Sequence, residues 1–373
     1  MPWMVRDMTD NRIGRHRPAC RRWIAALPLC TLATGCVSPP RGPLSADAQR
    51  DFRRDAVRFL QAATQSDDPV VRMQGIEALQ EAAPREGLPF IAENIDNGYA
   101  GVSFAAIMAL GTLRDASFVE EIRTRAEDPD PNVRIAALFA LHRLGERQRT
   151  GELADLLLKH RDARVRANAA VAIGRLGESQ SGRVLDVALR REKKDAVKLQ
   201  ILEALALLGD TGAIERLLFY GYSAAPDQAA LSLMLLGNAR AHDAEELFRY
   251  RVERGDQPEI RLQAARALGV LGYDSGFDLA LAHLFFSDVD LGRDNDPPQQ
   301  QIARVRALAA LALEAIGNRE SLMALRRAFD DENQSDRVRV AVARAAIRII
   351  DPRASTGAVR LADAPVEDGL ERD

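Results

Sequence analysis

Apolar side chains recur along this chain at the spacing of an α-helix, and the same arrangement returns many times. In the stretch DARVRANAAVAIGRLGE, one helical face collects five apolar residues: Val165, Ala169, Ala172, Ile173 and Leu176. That face is narrow and consists mostly of alanine, so a second helix can approach it closely. Gly177 stands where a residue of left-handed conformation commonly ends a helix. The pattern therefore predicts a helix that packs against other helices.

The pattern repeats along most of the sequence, and each copy opens on an apolar anchor residue. The clear anchors are Val71, Val102, Val133, Val165, Val197, Ile260, Val305 and Val338. A weaker sixth copy ends at Leu236-Gly237, and its anchor is predicted near Ala225. The nine anchors are then separated by 31, 31, 32, 32, 28, 35, 45 and 33 residues. A period sustained over this length predicts a stack of structural repeats.

Each repeat has room for two helices. Amphipathic segments that precede or follow the anchored helices occur at 151–160, 182–191, 213–221 and 321–329. Asp68-Pro69 and Asp130-Pro131 each offer an acidic N-cap followed by proline at the first helical position. Asp162 is placed in the same way before the quoted copy. Each unit is therefore predicted to be helix, short turn, helix.

The stretch DPNVRIAALFALHRLG (130–145) resembles a HEAT repeat, in particular the short variety called PBS-lyase-like. The resemblance extends over residues 48–351. It implies an all-α solenoid of about nine repeats in a right-handed superhelix, in which an acid and an arginine of successive repeats form a polar ladder. The matching acids are Asp68, Asp130 and Asp162, and the matching bases are Arg72, Arg134, Arg166, Arg261, Arg306 and Arg339.

Three copies depart from this pattern. Lys198 replaces the arginine in the fifth copy, Ser103 interrupts the second, and the sixth has no Val-Arg pair. We expect the stack to bend or loosen at these copies.

The N-terminal residues form a different kind of sequence. Arg21 and Arg22 precede an apolar run of 13 residues, which is too short to span a bilayer and typical of a signal-peptide core. The segment LATGC that ends at Cys36 resembles a bacterial lipobox, which implies cleavage before Cys36 and lipidation of that residue. The alternatives are a conventionally cleaved or uncleaved signal peptide, and the two arginines also resemble a twin-arginine export signal. Met8 is an alternative start.

This interpretation divides the chain into four segments: a signal peptide at 1–35, a proline-rich spacer at 36–47, the repeat array at 48–351 and a disordered acidic tail at 352–373. Cleavage removes six arginines and two acids from 51 basic and 54 acidic residues, which leaves a formal charge of −7. It also removes Cys20 and Cys30, so no disulfide is predicted. An acidic chain of this kind does not indicate nucleic-acid binding.

The sequence contains no arrangement of residues typical of an enzyme. A G-x-S-x-G motif and a glycine-rich phosphate loop are both missing, and no His-Glu pair occurs. The missing pair argues against the iron-binding HEAT hydroxylases, whose metal depends on such motifs. HEAT-like DNA glycosylases use a basic concave face, which this acidic chain lacks. We therefore predict a non-enzymatic protein without metal or cofactor.

The long interval before Val305 includes SDVDLGRDNDPPQQQ (287–301). Its four aspartates raise the alternative of a calcium loop. In an EF-hand register, however, glycine falls at the fifth position, and Gln299 stands where a bidentate glutamate is needed. We therefore expect a solvated loop, with a calcium loop and a partner-binding loop as alternatives.

The third, sixth and tenth residues after each anchor are expected to line the concave face of the superhelix. Repeats two to four place Met108, Phe139 and Val171 at the sixth position, and Arg143 and Arg175 at the tenth. An apolar strip bordered by arginines is typical of a groove for a peptide or a helix. The alternative is that these residues are ordinary core packing.

These observations predict a lipid-anchored bacterial envelope protein that binds other proteins through its HEAT-repeat surface. The only predicted membrane contact is the lipid on Cys36. Val37 does not match the aspartate that retains lipoproteins in the inner membrane of enteric bacteria, so the periplasmic side of the outer membrane is favoured. The alternatives are an enzyme of lyase type with an unrecognised site and a purely structural envelope component.

Overall fold

The computed structural model describes residues 39–289 and 296–352. The predicted signal peptide, Cys36 and nearly all of the predicted tail lie outside these residues. The described part of the chain folds into eighteen α-helices and a few short 3₁₀ turns, and it contains no strand. The prediction of an all-α array of about nine two-helix repeats is therefore confirmed.

The anchored helices form one layer of the molecule. These inner helices are α2 (Pro69–Ala82), α4 (Ala100–Leu113), α6 (Pro131–Arg143), α8 (Ala163–Leu176), α10 (Asp195–Leu207), α12 (Pro226–Asn238), α14 (Pro258–Val270), α16 (Pro298–Ile316) and α18 (Asp336–Ile350). Each packs against the next, and most of their residues are buried; in α4, for example, 11 of the 14 residues are.

The other nine helices form the outer layer. They are α1 (Ala46–Ala63), α3 (Pro84–Ala92), α5 (Val119–Arg125), α7 (Gly151–Lys159), α9 (Gly182–Arg191), α11 (Thr211–Gly221), α13 (Glu245–Arg254), α15 (Phe277–His283) and α17 (Leu322–Asp330). They have a buried and an exposed side, as their amphipathic sequences predict.

The predicted helix boundaries follow from local chemistry. Asp68, Asp130 and Asp162 are N-caps, and each accepts a hydrogen bond of 2.7–2.8 Å from the backbone N–H two residues later. Gly177 ends α8 with a φ of +75°, where a side chain would be strained. Both predictions are confirmed.

The anchor of the sixth repeat was predicted three residues too early. Ala225 is the N-cap of α12, the position that Asp68 and Asp130 hold in their repeats. Gln228 is therefore the equivalent of the anchoring valine, and the intervals around it become 31 and 32 residues. A polar residue at the anchor hid this copy in the sequence. The expected loosening occurs here, because α10 and α12 have the least contact of any successive pair of inner helices.

The arginines of the repeat pattern have a different role from the one that the resemblance implies. Each donates a hydrogen bond to a backbone carbonyl at or just beyond the end of the preceding outer helix, as in the 2.8 Å bond from Arg72 to Ser66 and the 2.7 Å bond from Arg134 to Asp128. The same bond is made by the other arginines of the pattern: Arg166, Arg261, Arg306 and Arg339. The acids cap the inner helices, and the arginines cap the outer ones, so the two sets do not alternate as a ladder.

The array closes into a ring. Helix α18 packs against both α1 and α2, so the ninth repeat contacts the first. The ring of Phe329 lies 5.5 Å from the rings of Phe52 and Phe59. Arg326 and Asp55 form an ion pair of 2.9 Å across the same junction. The superhelix expected from the sequence therefore has no free ends, and its concave face becomes an enclosed lumen.

The two faces of the ring differ. Because the inner helices run parallel, they all begin at one face, which we call the mouth face, and end at the other, which we call the base face. Residues of the predicted spacer lie on the base face: Gly42 donates a 2.9 Å hydrogen bond to Glu320, and Arg41 pairs with Asp278 at 2.7 Å. None of the helices in the described part of the chain has the length and apolar character that a bilayer crossing requires.

Candidate ligand-binding cavity

The lumen widens into a cavity near the mouth face. Its volume is about 410 Å³, within the range of sites for small ligands. Helices α2, α12, α14, α16 and α18 line it, mainly with residues from their first halves. Since α12 and α2 are not neighbours in the ring, the cavity lies on the lumen and not between two adjacent repeats.

Carboxylates outnumber cations in this cavity. The described residues that line it include four acids, Asp68, Asp227, Glu259 and Asp336, and two bases, Arg304 and Arg337. All four acids cap a helix or lie in its first turn, where the helix dipole favours negative charge.

Both arginines of the cavity are engaged by acids. Arg304 lies 2.9 Å from Glu259 and 2.6 Å from Asp296, and Arg337 lies 3.3 Å from Asp68. Burial by itself lowers the pKa of Arg304, but its bonds to Asp296 and Glu259 outweigh burial and raise it. The guanidinium groups are thus held by the protein, and the cavity has an excess of negative charge.

The inner wall of the cavity is apolar. Leu231, Met234 and Leu308 line it and are almost completely buried. A ligand that enters from the mouth face would therefore meet charged groups first and hydrocarbon deeper inside.

The side chains of Gln74 and Gln263 line the cavity. The Oε1 atoms of Gln74 and Gln263 are buried, and no donor in residues 39–289 or 296–352 bonds to them. Gln263 is only 8% exposed. A buried acceptor without a partner is costly, and these two atoms have almost no surface that faces the cavity.

The irregular interval in the sequence builds one wall of the cavity. Helix α16 begins at Pro298, seven residues before its anchor Val305, whereas each of the other inner helices begins two residues before its anchor. The additional turns carry Gln299, Gln300 and Ala303, which line the cavity. Residues 298–301, predicted as loop, are therefore helical. Asp290 and Asp294, from the calcium alternative, lie outside the described residues.

A network of charges closes the lumen toward the base face. Arg344 lies 2.8 Å from Glu314 and 2.7 Å from Glu81, and Arg348 lies 3.0 Å from Glu314. Glu314 belongs to the eighth repeat, Arg344 to the ninth and Glu81 to the first, so the network links the two ends of the array. Burial by itself raises the pKa of Glu81, but Arg344 and Arg348 outweigh it and lower the pKa.

Glu77 lies beside this network, and its pKa shifts in the opposite direction from that of Glu81. Burial and the charge of Glu81 raise its pKa, and attraction to Arg175 and Arg344 does not compensate. The ionised form of Glu77 is thus destabilised in the folded protein.

The predicted partner-binding residues do not form an exposed groove. Met108, Phe139 and Val171 are 4%, 2% and 5% exposed, so the exposure assumed for them is wrong. Arg143 is half-buried and Arg175 is exposed. The physical reason is ring closure: the inner-face positions of an open superhelix face solvent, but in a narrow ring they pack. Whether any of the five residues binds a partner stays a prediction.

Sequence reasoning missed the cavity residues. Gln74 and Gln263 line the cavity and share the third position after the anchor with Gln200, which does not line it. Glutamine at a position that is alanine in repeats two and three was the available signal. This glutamine pattern could not be interpreted from the sequence, because the position lines a cavity only when the ring is closed.

Exposed aromatic residues lie on the mouth face. Phe219 is 79% exposed and packs edge-on against Tyr220, and the ring of Tyr222 lies 6.1 Å from that of Tyr250. Tyr222 is in the turn between α11 and α12, five residues before the cavity residue Asp227. We call these four side chains the aromatic cluster. Large exposed aromatic groups are typical of protein contact surfaces.

No group of three or more His, Cys, Asp or Glu residues suited to a metal ion was found among the described residues. His142 is almost fully buried and bonds within the protein, at 2.7 Å to Thr150 and 3.3 Å to Glu178. Burial lowers its pKa.

Comparison with known proteins identifies similarities at the level of the repeat. Residues 88–157 match the family described as HEAT repeats. None of the curated proteins matches the sequence. Similar solved structures include the complex of CpcE and CpcF of phycocyanin lyase from Nostoc, at 16% identity over 61% of this chain and 91% of that chain, with a TM-score of 0.40.

Human deoxyhypusine hydroxylase in complex with glycerol is 17% identical over 74% of this chain and 99% of that chain, with a TM-score of 0.35. Kap121p is 14% identical over 82% of this chain and 38% of that chain, with a TM-score of 0.33. At these identities the similarity concerns the fold.

Proposed function

We propose that this chain, of which residues 88–157 match the HEAT-repeat family, is a non-enzymatic, lipid-anchored scaffold of the bacterial envelope that binds other proteins. The observation that carries the proposal is the mouth face, which has both the lumen cavity and the exposed aromatic cluster. The mouth face is a better candidate for partner binding than the groove predicted from the sequence, because the apolar residues of that groove are buried.

The path of the spacer supports an orientation for this scaffold. Arg41 and Gly42 lie on the base face. Arg41 is the fifth residue after Cys36, and five residue steps reach at most about 18 Å when fully extended. A lipid on Cys36 would hold the base face close to the membrane. The mouth face would then point away from it, toward partners in the periplasm.

Lipid anchoring is tested by Cys36→Ser. The substitution removes the thiol that would carry the lipid, so we expect the protein to move from the membrane to the soluble envelope fraction or to stay unprocessed. Fractionation and the mass of the mature N-terminus are the measurements. Normal membrane retention with normal processing would contradict the anchor.

Partner binding is tested by site-specific photocrosslinking in cells. A photoreactive phenylalanine analogue at Tyr222 samples the mouth face, and the same analogue at Leu207, which is exposed at the end of α10, samples the base face. We expect a discrete crosslinked protein from position 222 and none from position 207. Equal crosslinking from both positions, or none from either, would contradict the proposed surface.

A further inference from the structure

We propose that a second pocket, on the mouth face between the fourth and fifth repeats, binds an acidic segment of the partner protein. The pocket lies where the outer helices α7 and α9 end and the inner helices α8 and α10 begin, and its volume is about 370 Å³. This inference rests on the proposed function, because it takes the ligand to be part of a protein. It adds the site and the chemical class of the segment that is recognised.

Exposed cations line this pocket, which we call the basic pocket. Arg191, Lys193 and Lys194 all contribute to it, and all three are exposed. None of the three forms an ion pair with any residue in the described part of the chain. Their charges are therefore available to an incoming anion.

Glu192 is the only acid among the described residues that line the basic pocket, and its charge is already engaged. Its carboxylate lies 2.7 Å from Arg166 and accepts hydrogen bonds of 2.8 and 2.9 Å from the backbone N–H groups of Lys193 and Lys194. Its side chain is 6% exposed. Glu192 thus neutralises Arg166 and fixes the turn that carries the two lysines, but it leaves the lysine side chains without a counter-charge.

The stability of the fold does not account for Lys194. This residue is the N-cap of α10, the position that Asp68, Asp130 and Asp162 hold in their repeats. A lysine there has no acceptor for the helix N–H groups, and its charge is unfavourable at the positive end of the helix dipole. A residue that breaks the local rule of its own repeat is expected at a functional position.

The distribution of charge along the chain favours an acidic partner segment at this place. All four lysines of the sequence lie between 159 and 198, although the chain as a whole has more acids than bases. The same turn of the first and third repeats carries acids instead: Asp67, Asp68, Glu127, Asp128 and Asp130. An acidic segment is therefore repelled by those turns and attracted to the basic pocket, which sets where on the ring it binds.

The surroundings of the basic pocket favour a protein segment over a small anion. Leu158 lines the pocket and is half-buried, so it offers hydrocarbon contact beside the charges. The next turn along the ring belongs to the sixth repeat and carries Tyr222 of the aromatic cluster. The two repeats are in contact here, since Asp195 accepts a 3.4 Å hydrogen bond from Gln228. A segment with acidic and apolar side chains matches both surfaces, whereas inorganic phosphate matches only the charges.

The first test measures binding of a dye-labelled peptide, Ala-Leu-Glu-Glu-Leu-Glu-Ala-amide, to the mature, detergent-solubilised protein by fluorescence anisotropy. The matched controls replace the three glutamates by glutamine and by lysine. We expect the glutamate peptide to bind, with an affinity that falls as salt is added, because exposed charges are screened. Binding of both controls should be at least tenfold weaker.

Zero-length carbodiimide crosslinking locates the peptide, because the reagent joins a carboxylate directly to a lysine amine. We expect the peptide on Lys193 and Lys194, at least fivefold more than on Lys159. Lys159 is the control, because its side chain is 71% exposed but does not line the basic pocket.

Protein variants separate binding from folding. Lys194→Asp restores the N-cap of the other repeats, so its melting temperature should be no lower than that of wild type, while peptide binding should weaken at least tenfold. Lys159→Gln should leave binding unchanged. A loss of binding in a variant that melts at or above the wild-type temperature cannot be attributed to unfolding.

Several outcomes would overturn the inference: equal binding of the glutamine peptide, equal crosslinking of Lys159, or unchanged binding by Lys194→Asp. Crosslinks from Lys193 or Lys194 to the acids of residues 363–373, without crosslinks to the peptide, would assign the pocket to the protein's own tail. Binding of the Cys36→Ser protein to phosphatidylglycerol vesicles that Lys194→Asp abolishes would assign it to lipid headgroups. Each of these two results would also overturn the inference.

Crosslinking from position 222 distinguishes a failure of this inference from a failure of the proposed function. If a discrete partner is still crosslinked from position 222 in the Lys194→Asp variant while the acidic peptide does not bind wild type, the scaffold stands and the assignment of the basic pocket falls.

Discussion

At the scale of single residues, burial in the lumen decides which charges and apolar groups stabilise the protein. Arg344 is almost fully buried but touches two carboxylates, whereas Glu77 is enclosed beside another acid. Apolar side chains at the same repeat position as Glu77, such as Phe139, are core residues.

Glu77→Gln is expected to stabilise the protein at neutral pH. The pKa of Glu77 in the folded protein lies above its ordinary value of 4.5, because burial disfavours the ionised carboxylate. Ionisation therefore costs stability as the pH rises through the folded pKa, and glutamine avoids this cost. Below about pH 4.5 the carboxyl is protonated in both states and the advantage disappears. Chemical denaturation from pH 4 to 8 measures the difference, and a variant less stable than wild type at pH 7 would contradict it.

Phe139→Ala is expected to destabilise the protein by about 3–5 kcal/mol, because it leaves a cavity in the core. Phe139 is 2% exposed and lies beside Gly111, where the fourth and sixth helices meet. A melt of the variant decides the question. A nearly unchanged melting temperature would instead support the exposed groove that the sequence predicted.

At the scale of helices, close approach between inner helices depends on small residues. A Cβ atom added to Gly174 would lie 2.6 Å from the Cα of Ala204, so the backbones of α8 and α10 are in direct contact. The outer helices are stabilised at their ends instead, because an arginine of the following inner helix caps many of them. Arg166 also pairs with Glu192 of the next repeat at 2.7 Å. Burial raises the pKa of Glu192, but Arg166 and two backbone N–H groups lower it to about 2.

Gly174→Ala is expected to destabilise the protein by about 1–3 kcal/mol, because the methyl group forces two helices apart. This loss exceeds the gain of about 1 kcal/mol that alanine brings in helix propensity. Gly182→Ala is the matched control, since a Cβ atom there meets no neighbouring atom within 4 Å. Thermal melts of both variants are the measurement. Equal stabilisation by the two substitutions would contradict the close packing.

At the scale of the whole molecule, closure of the ring gives every repeat two neighbours. An open solenoid is stabilised by contacts between successive repeats, and its terminal repeats fray because each has one neighbour. Here the junction between the ninth and first repeats includes the aromatic contacts of Phe329 and the ion pairs of Arg326 and Arg344.

Arg344→Met is expected to destabilise the protein by about 3–5 kcal/mol, because it leaves the buried carboxylate of Glu314 and the half-buried carboxylate of Glu81 without their main partner. Hydrogen exchange should show faster exchange first in α1 and α18, the two sides of the junction. Arg164→Met, at an exposed arginine, is the control. Equal protection of α1 and α18 in wild type and the Arg344 variant would show that the network does not hold the ring closed.

The sequence by itself determined the repeats, their two helices and most of their boundaries. These features depend on local chemistry: an apolar stripe with helical spacing, an aspartate N-cap before proline and a glycine after the last turn. They can be identified within about thirty residues, with no knowledge of distant parts of the chain. The one misplaced repeat, at Gln228, was misplaced because a polar residue replaced its apolar anchor.

Only the tertiary structure decided whether the array stays open. Closure depends on the sum of small rotations between nine repeats, so no single stretch of sequence reveals it. The position of the cavity follows from closure, because Gln74, Gln263 and Leu308 come together only when the first repeat meets the ninth. For the same reason the sequence assigned Met108, Phe139 and Val171 to an exposed surface: their position in the repeat was identified, but the curvature that buries them belongs to the whole ring.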